Sequence, residues 1–129
     1  MKLETKTIEI NKSKEELYSL FTELKNFEQI MPSNKEKFTI DGDSFILGLY
    51  GIPEIRMIIK EKQPYDKIVL SAASSKLDFN LTLLFNEVDV NTTQAQLLFE
   101  GNFNPMVSMM VKTPLTNFIN ELSSNLQKI

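Results

Sequence analysis

Near the C-terminus, Asn104-Pro105-Met106 opens a stretch with helical spacing that runs to Ile129, after a long run of strands and turns that begins at Lys37. Apolar side chains recur at Val107, Met110, Val111, Leu115, Phe118, Ile119, Leu122 and Leu126, which is the rhythm of a helix with one buried face. A stripe of that length has to be covered. The strands before it alternate apolar and polar residues, so their sheet has one apolar face to offer. A sheet closing around one long helix, with room for a cavity between them, satisfies both demands.

The clearest strands are the last two. Leu77, Phe79, Leu81, Leu83 and Phe85 alternate with Asp78, Asn80, Thr82 and Asn86, and Ala95, Leu97, Phe99, Gly101 and Phe103 alternate with Gln94, Gln96, Glu100 and Asn102. Earlier, Phe38 and Ile40 lead into Asp41-Gly42-Asp43, a hairpin signal, and Phe45 to Tyr50 returns from it. Gly51-Ile52-Pro53 breaks the next connection. Ile55, Met57 and Ile59 then alternate with Arg56 and Lys60, Gln63-Pro64-Tyr65-Asp66 predicts a type I turn, and Ile68 to Ala73 predicts a strand.

At the start, residues 3–10 carry Thr5, Thr7, Ile8 and Ile10 and read as one strand. Ser13 with Glu16 forms a capping-box pattern before Leu17, Leu20, Phe21 and Leu24 at helical spacing. A second short helix, around Asn26 to Ile30, is stopped by Met31-Pro32, because a residue before proline is pushed out of helical geometry. The predicted fold is α+β: a curved antiparallel sheet of about seven strands around a long C-terminal helix, with two short helices after the first strand.

Two segments, Ile8-Glu9-Ile10-Asn11-Lys12-Ser13-Lys14-Glu15-Glu16-Leu17-Tyr18 and Leu24-Lys25-Asn26-Phe27-Glu28-Gln29-Ile30-Met31-Pro32, together with this element order, resemble the SRPBCC superfamily of START-like and birch-pollen-allergen-like domains. Some of its chains are described as polyketide cyclase/dehydrase or Coq10-type proteins. The resemblance spans the whole chain and implies a helix-grip fold whose apolar cavity, between sheet and C-terminal helix, takes lipids, polyketides, hormones or quinones. Some members are enzymes, and many are carriers or chaperones.

With 129 residues the chain reads as one domain, residues 1–129, large enough to bury roughly two-thirds of the surface it exposes when unfolded. Its opening Met1-Lys2-Leu3-Glu4 lacks a signal peptide's apolar core, and no apolar run approaches the roughly twenty residues of a membrane span. A soluble cytoplasmic protein without stable membrane insertion, monomeric or weakly dimeric, is the expectation. The net charge of −3 and a single arginine, Arg56, argue against nucleic acid, which needs clustered cations. The lysine pairs Lys12/Lys14, Lys35/Lys37 and Lys60/Lys62 are interleaved with acids or followed by turns and read as solvated surface.

Catalytic chemistry is thinly provided for. Histidine and cysteine are both absent, which removes the commonest general base, the strongest neutral-pH nucleophile and the usual zinc ligands. The serines, Ser74 and Ser75 among them, have no imidazole to activate them. Family members that cyclise polyketides tend to place His, Trp, Arg or Tyr in the pocket, and this chain has neither His nor Trp. No catalytic residue, cofactor or metal is therefore assigned: only oxygen ligands are expected, and Asp41-Gly42-Asp43 is too short for a calcium loop. Glu54, Glu61, Glu87 and Tyr50 remain as groups that an enzyme of the cyclase/dehydrase kind would use; Arg56 alternates with Ile55 and Met57 and should point outward.

The residues expected to line a pocket are Met57, Ile59, Leu70, Phe79, Leu81, Leu97, Phe99, Phe103, Met106, Met110, Pro114 and Phe118. Methionine adapts to irregular apolar shapes, and Met106, Met109 and Met110 cluster at the start of the long helix. Pro114, inside that helix, removes one backbone hydrogen bond, which either shapes a portal or follows the sheet's curvature. The functional expectation is non-catalytic binding or carriage of a small hydrophobic or amphipathic ligand. A cyclase/dehydrase-type enzyme and a protein-interaction module without small ligand stand as alternatives.

Overall fold

The computed structural model describes residues 1–72 and 77–129 of the chain. Two short strands, β1 (Lys2–Glu4) and β2 (Ile8–Ile10), come first, followed by α1 (Lys14–Phe21) and a 3₁₀ helix (Leu24–Ile30). Then come β3 (Lys37–Asp41), β4 (Ser44–Gly48), β5 (Ile55–Gln63), β6 (Lys67–Ala72), β7 (Phe79–Asp89) and β8 (Thr92–Gly101), and finally α2 (Pro105–Gln127). The strands form one antiparallel sheet in the order β1-β8-β7-β6-β5-β4-β3, with β2 also on β8. The chain thus has the predicted α+β helix-grip arrangement. Ala73, the predicted end of β6, lies outside the described residues, as do Ser74 and Ser75.

The first strand is not continuous, as predicted, but split. Glu4 faces Leu98 and Ile8 faces Ala95, so three residues on one side oppose two on the other. This extra residue is a bulge, and it changes which parity points inward: Leu3 and Thr5 before it, Ile8 and Ile10 after it. Thr5 holds the break together. Its N–H donates to the Leu97 carbonyl at 3.0 Å, its buried Oγ1 accepts from the Leu97 N–H at 3.0 Å, and its carbonyl accepts from Gln96 Nε2 at 2.8 Å.

Two turns carry the backbone strain of the sheet. The β3–β4 hairpin turns on Gly42, whose φ of +60° suits a residue without Cβ. The β5–β6 turn is type II rather than the predicted type I: Asp66 N–H donates to the Gln63 carbonyl at 3.0 Å, and Tyr65 has a φ of +70°. A tyrosine there is costly, and its ring gains an edge-on contact with Tyr18 of α1 at 5.5 Å between centroids.

Capping fixes the helices. Ser13 Oγ accepts from the Glu16 N–H at 3.1 Å, and Asn104 Oδ1 accepts from the Val107 N–H at 2.9 Å with Pro105 behind it at the first helical position. The 3₁₀ helix ends at Met31, which is extended (ψ 152°) before Pro32. Asn125 Nδ2 then ties that end to α2 by donating to the carbonyls of Ile30 at 3.0 Å and Met31 at 3.2 Å.

The buried stripe of α2 is Val111, Leu115, Phe118, Ile119, Leu122 and Leu126, packed with the inward faces of the sheet, α1 and the 3₁₀ helix in one core. Each fully buried leucine contributes about 1.5–3 kcal/mol relative to exposure. Met110, predicted to belong to this stripe, points outward instead, because the helix phase set by Leu115, Leu122 and Leu126 turns it to solvent. Among the described residues no helix is long and apolar enough to cross a membrane.

Thr5→Val tests the bulge. It keeps the shape but leaves the Leu97 N–H without its side-chain acceptor, so stability should fall by about 1–3 kcal/mol, read from the urea midpoint by circular dichroism. An unchanged midpoint would mean that this contact carries no net energy.

Candidate functional site

The chain between β4 and β5 has to leave the sheet and return, and it does so against α2. Gly51 has a φ of +88°, and a Cβ built on it would sit 3.5 Å from Pro114 Cγ. The backbone therefore rests on the proline ring. On the other side, the exit of the 3₁₀ helix at Pro32 is held near α2 by Asn125. Between these walls opens a groove of about 280 Å³ with Pro32, Leu49, Pro114 and Phe118 as its apolar lining. Asn34, Tyr50, Thr113, Asn117 and Glu121 supply its polar groups. A larger depression of about 470 Å³ lies on the outer face of the sheet around Lys2, Glu4, Val69, Thr82, Leu98 and Glu100. It is remote from α2 and rimmed by charge.

The structure divides the twelve expected pocket residues into groups. Met57, Leu70, Phe79, Leu81, Leu97 and Phe99 face inward and are at most 3% exposed, with Phe79 stacked on Phe99 at 4.8 Å. Such low accessibility leaves little void beside them. Ile59 and Phe103 are half-buried at the margin of this core, and the Phe103 ring folds over Gly101, where a Cβ would come within 2.6 Å of it. Pro114 and Phe118 line the groove. Met106 and Met110 lie on the solvent side of α2, 73% and 69% exposed.

The polar candidates stay outside the core. Glu54 is exposed and 3.5 Å from Lys37. Glu61 would continue the inward alternation of Ile55, Met57 and Ile59, but the register shifts by one residue between Ile59 and Glu61 and turns it outward, 3.2 Å from Lys67. Glu87, opposite Thr93, is exposed at the strand end. Arg56 points outward as expected and donates to Asp41 Oδ2 at 2.8 Å and Ser44 Oγ at 2.6 Å, clasping the hairpin. Tyr50 is 88% exposed at the groove rim. Among the described residues no three His, Cys, Asp or Glu side chains converge as metal ligands.

Chemically, the groove joins an apolar floor to hydroxyl, amide and carboxylate groups at its edge. That pattern suits an amphipathic small molecule. Sequence reasoning flagged Gly51 and Pro114 separately and missed that they meet, since nothing local in either segment encodes the contact. Because an added Cβ at Gly51 meets only ordinary van der Waals contact, the positive φ decides the outcome: Gly51→Ala should cost about 1–2 kcal/mol, measured by thermal unfolding. A neutral result would mean that the loop relaxes to another backbone conformation.

No family model and no curated protein matches the sequence. Solved structures do share its fold. Norcoclaurine synthase from Thalictrum flavum, solved with dopamine and hydroxybenzaldehyde, superposes with a TM-score of 0.75 at 13% identity over 99% of this chain and 84% of its own. The protein XoxI from Bacillus cereus gives 0.71 at 15% identity over 98% and 93%. A START superfamily protein from Mycobacterium smegmatis gives 0.67 at 13% identity over 98% and 94%. With its seven-lane antiparallel sheet, its two short helices and its long closing helix, the chain has the START-like helix-grip fold.

Proposed function

We propose that this protein binds a small amphipathic molecule in the groove beside Pro114 and does not transform it. The observation that carries this reading is the floor of Pro114 and Phe118 under a rim of Tyr50, Asn117 and Glu121. At about 280 Å³ the groove is just below the roughly 300–1,000 Å³ of drug-sized ligand sites. The fitting ligand is therefore a single ring or short chain with a polar end rather than a whole lipid. Fold likeness to a ligand-binding protein supports ligand binding as such, and the two aromatics in the Thalictrum structure are of that size class. Within the groove only Tyr50 and Glu121 ionise, and without histidine or cysteine no activated nucleophile pairs with them.

Thermal-shift screening with hydroxylated single-ring aldehydes, phenethylamines and medium-chain fatty acids tests the proposal. A ligand at a hundredfold excess over its dissociation constant stabilises the native state by about 2.7 kcal/mol, well within detection. Asn117→Trp, at an exposed position on the groove wall, should fill the space and abolish the shift while leaving the fold intact. Absence of any saturable shift, or a shift unaffected by Asn117→Trp, would sink the groove reading. Recovery of chemically altered ligand after incubation would instead establish an enzyme.

A further inference from the structure

Three of the six methionines fall within five residues of α2, at Met106, Met109 and Met110. Their spacing of i, i+3 and i+4 places them within an arc of about 100° on the helix. That arc lies opposite the buried stripe of Leu115, Leu122 and Leu126, and the three side chains are 73%, 83% and 69% exposed. They therefore serve neither the core nor the groove. Residues at these spacings are neighbours, with about 5–6 Å between Cβ atoms, and the unbranched thioether side chain has three rotatable bonds to bring its sulfur inward.

We propose that Met106, Met109 and Met110 form a three-thioether site for a soft monovalent cation, Cu(I) in chemical class. Thioether sulfur selects Cu(I) over the hard ions that prefer oxygen, and the expectation that only oxygen ligands are available to this chain overlooks it. No softer competitor exists in the sequence, which has neither cysteine nor histidine. Met31 and Met57 are buried in the core and Met1 is half-buried, so the triad holds the accessible sulfur of the molecule. The positive pole of the α2 N-terminus and the neutrality of the ligands both weaken the site. A readily reversible complex follows, suited to handing the ion on rather than storing it.

Titration of the folded protein with Ag(I), a redox-inert stand-in for Cu(I), followed by methionine-methyl NMR, tests the site. One Ag(I) per chain should bind, moving the methyl resonances of Met106, Met109 and Met110 while those of Met31 and Met57 stay in place. The same protein should compete with bicinchoninate for Cu(I) under reducing conditions. Each single Met→Leu variant should weaken binding by about tenfold, and the triple variant should abolish it. Leucine keeps the apolar surface and the helix propensity, so circular dichroism should show an unchanged fold. The proposal is overturned by no Ag(I) binding, by equal binding to the triple variant, or by one ion shared between two chains.

Discussion

Everything in this structure depends on burying one stripe of α2. Leu115, Leu122 and Leu126 are wholly inaccessible to solvent, and the inward side chains of β4 to β8 are covered by that helix together with α1 and the 3₁₀ helix. Neither partner is self-sufficient. The sheet without α2 would expose Leu70, Leu81 and Phe99, and the helix without the sheet would be a marginal amphipathic segment interrupted by proline. The Asn125 hydrogen bonds to Ile30 and Met31 make the third side of this closure. Coverage thins toward the N-terminal end of α2, where Val107 is only half-buried, and there the helix presents other chemistry.

Seen along its axis, α2 has two working sides. One is core, and the other carries the methionines in its first two turns and, further along, the groove wall through Pro114 and Asn117. Pro114 belongs to this division of labour. It provides no N–H for the carbonyl of Met110, a residue on the solvent side of the helix. The ring itself becomes the surface against which Gly51 packs. The charged residues are kept elsewhere, in exposed pairs such as Glu54 with Lys37 and Glu61 with Lys67. Such pairs contribute about 0–1 kcal/mol each, so they leave the interior apolar without stabilising it much.

The parts of the fold legible in the sequence are those encoded by local period. Leu81, Leu83 and Phe85 alternate without interruption, and Ser13 announces α1 because capping is a matter of three residues. What escaped were single-residue departures and distant contacts. The extra residue between Glu4 and Ile8 changes no composition, yet it splits a strand, and the shift after Ile59 turns Glu61 outward in the same way. Tyr65 has a side chain that argues against positive φ, and the ring it packs on belongs to Tyr18, far away in sequence. Met110 was assigned to the buried stripe because it is apolar and near the right spacing; the phase of the helix decided otherwise. The groove needed Gly51 to meet Pro114, which no periodicity expresses.

The pairing of β1 and β2 with β8 has a consequence for the order of assembly. Leu3 lies opposite Phe99, Ile10 opposite Thr93, and the amino group of Met1 donates to the Gly101 carbonyl at 2.8 Å. During synthesis the first strands therefore have no partner until almost the whole sheet has been made. Contacts this remote in sequence are slow to form because a long loop must close before they reward it. Until then β7 presents an unpaired apolar edge to the surrounding water or to a chaperone. Nascent chains halted before β8 should thus be the aggregation-prone species of this protein.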